Sequence, residues 1–413
     1  MNYEFFIAKR IIGNKAYKNS VSAPIIKIGI AAIAIGIIVM LIAIATGLGL
    51  QQKVRDKVVA FNGHVTISNF DSNVSNETMV PISKQQDFYP EFKSVEGIKH
   101  IQVIATKFGV IRTETDFEGV VLKGVGNDYD WSYIKEFLID GQIADYTIPE
   151  MSNDVLISKY IADRLQLKVG DSFQTVFGKE DIEQIPNIRQ FIIVGIFDSG
   201  FQELDKTFMI GDIRHVQRLN RWNADDIGSF EIFINDFSKI REKGAEIYKA
   251  TPSNLNAETV EQKYISTFEW IKIFDNNTYG IIGIMILVAG INMITALLVL
   301  ILERTQMIGI LKAMGSSNWS IRKVFLYNAT YLIGLGMLWG NGIGLGLLFA
   351  QQWFGFLKFP DPKQYYVSII PVHIGLDYIL LLNLGTFIAC MLMLLIPSII
   401  ITKISPVKAI RFE

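Results

Sequence analysis

The chain has 413 residues, half of them hydrophobic, and a formal net charge of −1 at pH 7. This length and apolar content allow several membrane spans together with a folded polar domain. A charge so close to zero gives no electrostatic argument for a nucleic-acid partner. The single cysteine excludes an internal disulfide, and the four widely spaced histidines match no metal-binding motif.

Residues 1–24 are predicted to form an amphipathic elbow helix at the cytoplasmic face of a membrane. Basic side chains such as Lys9 and Arg10 accompany an apolar face that includes Tyr3 and Phe6. Aromatic side chains beside basic ones are typical of the headgroup region of a bilayer.

Four apolar segments are long enough to cross a bilayer as helices, which needs about 20 residues each. We predict transmembrane helices over residues 25–50, 279–302, 325–350 and 378–402. No charged residue stands out within them, so no ion or proton relay at membrane depth is expected. The many glycines of the third segment indicate close packing against other helices. A nucleotide-binding loop is rejected, because such a loop follows a strand and no strand precedes these glycines.

The distribution of basic residues predicts the topology. Residues 1–27, 303–323 and 403–413 are rich in Lys and Arg, which places them in the cytoplasm by the positive-inside rule. The polar stretch 51–275 and the loop 351–377 then lie outside, in the periplasm of a bacterium with two membranes.

The polar stretch 51–275 alternates short strand patterns with helical ones. It is predicted to be an α+β domain, with a possible inserted subdomain at about 126–225, and its last part, Ala257–Phe274, is predicted to be helical. The fold class is therefore an α-helical membrane protein with four transmembrane helices and a large extracytoplasmic α+β domain between the first and second.

A short amphipathic helix is predicted directly after the second membrane segment. Met307, Ile310, Leu311 and Met314 recur at helical spacing, and Gly315 is expected to end the helix. Such an apolar stripe must be buried against the membrane surface, the protein itself or a partner, and the residues alone leave these alternatives open.

Several segments resemble a known family. Residues 286–294 and 308–315 closely resemble the LolC and LolE permeases of lipoprotein-releasing ABC transporters, which belong to the FtsX/MacB-type superfamily. Gly63–Ile67, Leu165–Asp171 and Val194–Asp205 resemble the same pattern in the same order.

In that superfamily the segment after the second membrane helix is a coupling helix, which sits in a groove of a separate ATPase. The resemblance therefore implies that ATP and Mg are bound by a LolD-like partner and that this chain binds no cofactor. No GxxxxGK[ST] phosphate-binding loop is present in the sequence. The cytoplasmic segment 303–323 then contains the expected ATPase contacts: Glu303, Arg304, Met307, Ile308, Ile310, Leu311, Lys312, Met314 and Gly315.

The resemblance also implies a lipid-open cavity that the first two membrane helices form between two permeases, as a homodimer or heterodimer. Lipoprotein acyl chains are expected to bind there. Candidate contacts are Met40, Ile44, Leu48, Ile286 and Met293. Ordinary lipid contact or helix packing accounts equally well for each of them.

LolC-type permeases carry a hairpin that captures the periplasmic carrier LolA, and in this chain it would fall at residues 177–189. Candidate contacts are Phe177, Ile182, Ile185, Pro186 and Ile188. A plain solvated loop is an equal alternative, because the chain lacks the proline-rich tip of the LolC hairpin. Whether the permease is LolC-like, LolE-like or a single homodimeric form stays open.

The implied function is that of a non-catalytic permease subunit in the bacterial inner membrane. With its ATPase and a second permease chain, it would extract lipoproteins from the membrane lipids and pass them to a LolA-like carrier by mechanical transmission through its helices. Two alternatives are a MacB-like efflux permease and an FtsX-like regulator of cell-wall hydrolases. The chain lacks the ATPase fused to MacB, and its outer domain is larger than that of FtsX.

Overall fold

The computed structural model describes residues 3–13, 22–71, 80–178, 186–360 and 365–405. Its α-helices are α1 (Tyr3–Gly13), α2 (Ser22–Asn62), α3 (Ser132–Phe137), α4 (Lys159–Leu165), α5 (Gln202–Thr207), α6 (Ile213–Asn220), α7 (Ile240–Ala250), α8 (Val260–Lys263), α9 (Ile265–Glu303), α10 (Thr305–Ala313), α11 (Asn318–Phe354), α12 (Leu376–Ser398) and α13 (Ile400–Lys403). Its strands are β1 (Val65–Asn69), β2 (Ile82–Ser83), β3 (Ile98–Arg112), β4 (Phe117–Val125), β5 (Leu138–Gly141), β6 (Asp154–Ser158), β7 (Ser172–Phe177), β8 (Asn187–Phe197), β9 (Phe208–Asp212), β10 (Asp226–Ile227), β11 (Ser229–Ile234) and β12 (Leu255–Thr259).

Within the described residues, four helical segments are long and apolar enough to cross a membrane: α2, α9, α11 and α12 with α13. Helices α2 and α9 contain 41 and 39 residues. Because a bilayer needs only about 20 residues of helix, each of these two helices extends well beyond an apolar span.

The chain folds as two compact units. The apolar unit contains the described residues of Met1–Gln51, Trp270–Lys358 and Ile369–Glu413. The sheet unit contains those of Gln52–Glu269 and Phe359–Ser368. Four long apolar helices and a large domain of strands and helices are therefore confirmed.

In the apolar unit, glycines allow α11 to lie close against α2. A Cβ atom at Gly336 would come within 2.8 Å of Ile33 Cβ, and one at Gly340 within 2.7 Å of Ile37 Cβ. Real Cβ atoms do not approach each other so closely, so only glycine fits this contact. The opposite side of α11 differs, because a Cβ at Gly342 would meet no described atom within 4 Å.

Helix α1 packs along the first turns of α11. Ala8 and Ile11 are buried against Val324. The Glu4 carboxylate accepts a hydrogen bond of 2.8 Å from Ser320 Oγ and lies 3.7 Å from Lys323 Nζ. The predicted elbow thus has a helix over Tyr3–Gly13, while residues 14–21 of the prediction lie outside the described part of the chain.

In the sheet unit, ten of the described strands form one sheet, in the order β12-β1-β11-β3-β4-β9-β6-β8-β5, with β7 paired to β3 and β8. The β4–β9 and β6–β8 pairs are parallel and the other pairs of this sheet are antiparallel. The short strands β2 and β10 pair separately. One part of the sequence prediction is wrong here: the segment from Ala257 starts in β12, which pairs with β1, and helix begins only at Val260.

The core of the sheet unit contains an ion pair. Lys123 Nζ lies 2.7 Å from Glu231 Oε1, and the side chains are 0% and 1% exposed. The same ammonium group donates to the carbonyl oxygen of Phe61 at 2.8 Å, and Lys263 Nζ donates to Asn62 Oδ1 at 3.1 Å. These contacts fix the last residues of α2 and the end of α8 to the sheet. Losing them would be costly, since a buried charge is stable only when it is paired and hydrogen-bonded.

Lys57 and Phe201 hold Tyr366, one of the described residues between Phe359 and Ser368, within the sheet unit. Lys57 Nζ donates to the carbonyl oxygen of Tyr366 at 2.6 Å, and the Tyr366 ring stacks on Phe201 at 4.3 Å between centroids. Burial lowers the pKa of Lys57 to about 8, although Asp205 and Asp198 act in the opposite direction. The described residues of this segment are therefore anchored through both a charge and an aromatic ring.

Candidate functional site

The candidate site lies in the apolar unit and begins with a break between two helices. Helix α9 ends at Glu303, and α10 starts at Thr305. Thr305 Oγ1 donates to the carbonyl oxygen of Leu302 at 2.6 Å, so the side chain satisfies a backbone group that the break releases. Helix α10 is therefore a separate helix from α9.

The other end of α10 is a Schellman motif, as the predicted stop at Gly315 requires. Gly315 has a φ of +89°, which L-residues with a side chain rarely adopt. The Ser316 amide donates to the Leu311 carbonyl and the Gly315 amide to the Lys312 carbonyl, each at 3.0 Å. Helix α10 is thus a short, separately capped element.

The apolar stripe of α10 is divided between the inside and the outside of the protein. Ile308 and Leu311 are 0% and 6% exposed and belong to the core of the apolar unit. Ile310 and Met314 are 46% and 68% exposed, and the following helix adds Trp319 at 52%. The protein's own core therefore holds α10 in place, while its outer side presents apolar side chains.

The remaining predicted residues of this segment have different environments. Glu303 is exposed, whereas Arg304 and Met307 are half-buried. Arg304 Nε is buried and has no hydrogen-bond partner within the described chain. Lys312 donates to backbone carbonyls at the end of α13. Their predicted role as contacts of an ATPase stays a prediction.

A cavity of about 310 Å³ lies between α2, α9 and α12 in the same unit. Its walls are mostly aliphatic and aromatic, and its volume is near the lower end of the range of ligand pockets, about 300–1,000 Å³. The lining residues are Ile44, Gly47, Leu48, Asp275, Thr278, Tyr279, Ile282, Ile286, Tyr378, Leu381, Leu382, Gly385 and Thr386. A cavity of this composition suits a hydrocarbon chain.

Two polar features accompany the apolar wall. Asp275 is held by Gln51, whose Nε2 donates to Asp275 Oδ1 at 2.6 Å. Thr386 is 1% exposed, and its Oγ1 has no hydrogen-bond partner in the parts of the chain that the structure describes.

Three of the five sequence-predicted cavity residues line this cavity: Ile44, Leu48 and Ile286. Met40 and Met293 are 0% and 1% exposed and are packed between helices instead. Sequence reasoning missed the whole contribution of α12. Asn383 and Thr386 interrupt an otherwise apolar middle of α12, but neither residue by itself predicts a cavity wall.

The candidate carrier-binding residues lie around β7 and β8 of the sheet unit. Phe177 is the last residue of β7 and is fully buried in the core. Pro186 is exposed, and Ile188 on β8 is 53% exposed. Ile182 and Ile185 lie outside the described residues. Carrier binding at this place stays a prediction.

Two family descriptions match the chain. Residues 28–263 match the MacB-like periplasmic core domain, and residues 279–406 match the FtsX-like permease C-terminal region. With four long apolar helices, the chain is a multi-pass membrane protein of the permease class. It belongs to the FtsX/MacB-type superfamily of ABC transporter permeases, as the segments that resemble LolC and LolE predict.

Several curated relatives of this chain are LolC or LolE proteins. The chain is 22% identical to the lipoprotein-releasing system transmembrane protein LolC of Buchnera aphidicola, over 99% of this chain and 98% of that protein. It is 21% identical to LolE of Haemophilus influenzae, over 99% of each chain, and 20% identical to LolC of Neisseria meningitidis, over 96% of each. The predicted resemblance to the LolC/LolE family is confirmed.

Proposed function

We propose that this chain is the permease subunit of an ABC transporter that extracts lipoproteins from the inner membrane and passes them to a periplasmic carrier. ATP and Mg would be bound by a separate cytoplasmic ATPase, and a second permease chain would complete the transporter. This chain would supply binding surfaces and moving helices and no catalytic group.

The outer side of α10 is the proposed docking surface for the ATPase. Arg304, Lys312, Arg322 and Lys323 surround this segment with positive charge, which favours the cytoplasmic side of the membrane. Ile310 and Met314 are exposed there although aliphatic side chains are stabilised by burial. A groove in the ATPase would remove them from water.

The cavity between α2, α9 and α12 is the proposed place for acyl chains of the lipoprotein. Hydrocarbon would contact Leu48, Ile286 and Leu381. The membrane-anchored form of a lipoprotein is amphipathic, which fits an apolar cavity that contains a few polar groups.

Helix continuity supports a mechanical role. Helix α9 runs without interruption from Ile265 to Glu303 and is followed directly by α10. Movement of α10 by the ATPase would therefore displace α9 as a rigid body and change the cavity that α9 lines.

The single observation that carries this proposal is the division of α10. Ile308 and Leu311 bind the helix to its own protein, and Ile310 and Met314 remain outside it. Packing against its own protein would require apolar residues on one side of α10 only. The apolar residues on the exposed side therefore support contact with a partner.

The test is ATP-dependent transfer of a triacylated lipoprotein to soluble carrier, measured with the permease–ATPase complex in nanodiscs. Met314→Asp and Ile310→Asp are expected to lower binding of the ATPase by about thirtyfold, as for a hot spot of about 2 kcal/mol. Met314→Leu keeps an apolar side chain of similar volume and should retain transfer.

Three outcomes separate the alternatives. Transfer that is lost with Met314→Asp and kept with Met314→Leu supports lipoprotein release through α10. Export of a soluble substrate without lipoprotein transfer would replace release by MacB-like efflux. An active ATPase with neither effect would indicate an FtsX-like regulator.

A further inference from the structure

Lys312 connects α10 to the end of the last apolar helix. Its Nζ donates to the carbonyl oxygen of Ile401 at 2.7 Å, of Ile404 at 2.8 Å and of Thr402 at 3.3 Å. All three acceptors belong to α13 or to the residue that follows it. One ammonium group therefore holds the terminal turn of this helix with all three of its protons.

The positive charge of Lys312 suits the carbonyl groups at the end of α13. The last carbonyl groups of a helix have no partner within the helix, and its C-terminus carries a partial negative charge. A cation that donates to these groups forms charge-assisted hydrogen bonds, which are stronger than neutral ones. The contact thus depends on the charge of Lys312 as well as on its length.

A second cation holds the same helix one turn earlier. Arg322 Nε donates to Ser398 Oγ at 3.0 Å, and its Nη2 lies 3.3 Å from the carbonyl oxygen of Leu395. Pro397 lies within this region, and α12 ends at Ser398 before α13 begins at Ile400. Because the last four carbonyl groups of a helix have no donor within that helix, side-chain contacts such as that of Arg322 support the end of α12.

The far end of α12 forms one wall of the cavity. Tyr378, Leu381 and Thr386 lie on this wall. Described contacts thus form a continuous path, from the exposed side of α10 through Lys312 to α13 and along α12 to the cavity. The path does not pass through α9.

We propose that Lys312 is a positioning residue that transmits movement of α10 to α12, so that the proposed docking surface and the α12 wall of the cavity move together. This inference rests on the proposed function, because it takes the ATPase as the source of the movement. Helix α9 would move one side of the cavity and α12, through Lys312, the other.

The experiment measures movement of the α12 wall of the cavity with a fluorophore attached to that wall. Cys390→Ala removes the native thiol, and Leu381→Cys then carries a bimane fluorophore at a position that is 69% exposed. Bimane emission is compared with and without ATP plus orthovanadate, in nanodiscs that contain the permease and its ATPase. The variants are Lys312→Gln and Lys312→Arg, and Lys403→Gln removes one exposed charge from α13 as a matched control.

In Lys312→Gln the nucleotide-dependent emission change is expected to fall at least about twofold, the lower limit for residues that carry coupling between sites. Co-purification of the ATPase is measured in parallel, so that a reduced emission change can be distinguished from a lost ATPase. Lys312→Arg should recover most of the change, because guanidinium also donates to several carbonyls. Lys403→Gln should behave as the parent protein.

Two results overturn the inference. One is a full emission change in Lys312→Gln, and the other is loss of ATPase binding in that variant, which would make Lys312 part of the docking surface. A parent complex that shows the emission change but transfers no lipoprotein would contradict the proposed function alone and leave the role of Lys312 supported.

Discussion

Asn341 on α11 and Asn383 on α12 exchange their side-chain amides in two hydrogen bonds. Asn341 Nδ2 donates to Asn383 Oδ1 at 2.7 Å, and Asn383 Nδ2 donates to Asn341 Oδ1 at 2.9 Å. The second proton of each amide reaches a carbonyl of its own helix, of Met337 and of Ile379. Both amides thus have hydrogen-bond partners between two largely apolar helices. These hydrogen bonds fix the position of α11 relative to α12 at this level.

Replacing one member of this amide pair should weaken the contact of α11 with α12. Asn341→Leu leaves Asn383 without its partner, and interhelical hydrogen bonds in membranes contribute about 0.6 kcal/mol on average and about 1.7 kcal/mol at most. Thermal unfolding of Asn341→Leu, Asn383→Leu and the double variant in detergent measures the coupling energy. Strictly additive effects would show that the two amides do not interact.

The two sides of α11 should respond differently to the same substitution. Gly340→Val places a side chain against Ile37, and overpacking of this kind destabilises by about 1–3 kcal/mol. Gly342→Val extends into open space and should change the unfolding temperature little. The comparison controls for the helix propensity of valine, because both variants add it to one helix. Equal destabilisation would contradict the close contact of α11 with α2.

The buried Lys123–Glu231 pair should be sensitive to loss of one partner. Lys123→Met leaves the Glu231 carboxylate buried without its cation, which destabilises by about 3–5 kcal/mol. The double variant Lys123→Met/Glu231→Met should regain part of this stability, since no uncompensated charge remains. Thermal unfolding of the full chain measures both. A double variant that is less stable than Lys123→Met would show that the carboxylate has another essential partner.

His64 should make the sheet unit less stable at acidic pH. Its side chain is 7% exposed, and its Nδ1 accepts a hydrogen bond of 3.2 Å from the Ile234 amide. Burial first, and then the charges of Arg55 and Lys99, lower its pKa to about 4. The unfolded chain therefore binds the proton more readily, and stability falls as the pH decreases from about 6.5 toward 4, by about 3 kcal/mol in total.

The matched variant for this pH effect is His64→Asn, whose side-chain oxygen can accept from the same amide but does not titrate. Burial raises the pKa of Asp205 to about 6, which gives a slope of opposite sign in both proteins. The difference between the two unfolding curves at pH 7, 6 and 5 isolates His64. Parallel curves over this range would contradict a buried neutral imidazole.

Much of the architecture was predictable from local composition. The apolar segments predict helices because no other structure satisfies the backbone within a membrane, and Gly315 predicts the end of α10 because it adopts a positive φ. The strand order was not predictable from local patterns. For example, β4 pairs with β9, which lies far from β4 in the sequence. For the same reason the helix predicted from Ala257 is wrong at its start: pairing with β1 outweighs the helical pattern of these residues.

The candidate site was predictable only in part, for a related reason. Periodicity identified α10 as amphipathic but did not reveal that its own protein buries Leu311 and leaves Met314 exposed. Helix α2 is apolar on nearly every side, so its sequence does not show that Met40 packs inward and Leu48 lines the cavity. Only the arrangement of the neighbouring helices decides which side a membrane helix presents.

The ion pair between Lys123 and Glu231 also imposes an order on biogenesis. The two residues are separated by 108 positions, and Lys263, which holds Asn62, emerges later still. During synthesis, α2 therefore leaves the ribosome long before the residues that anchor its end have been synthesised. Contacts of such long sequence separation form slowly, so the nascent domain passes through a period with a solvated Lys123 and open strand edges, when it depends most on protection from aggregation.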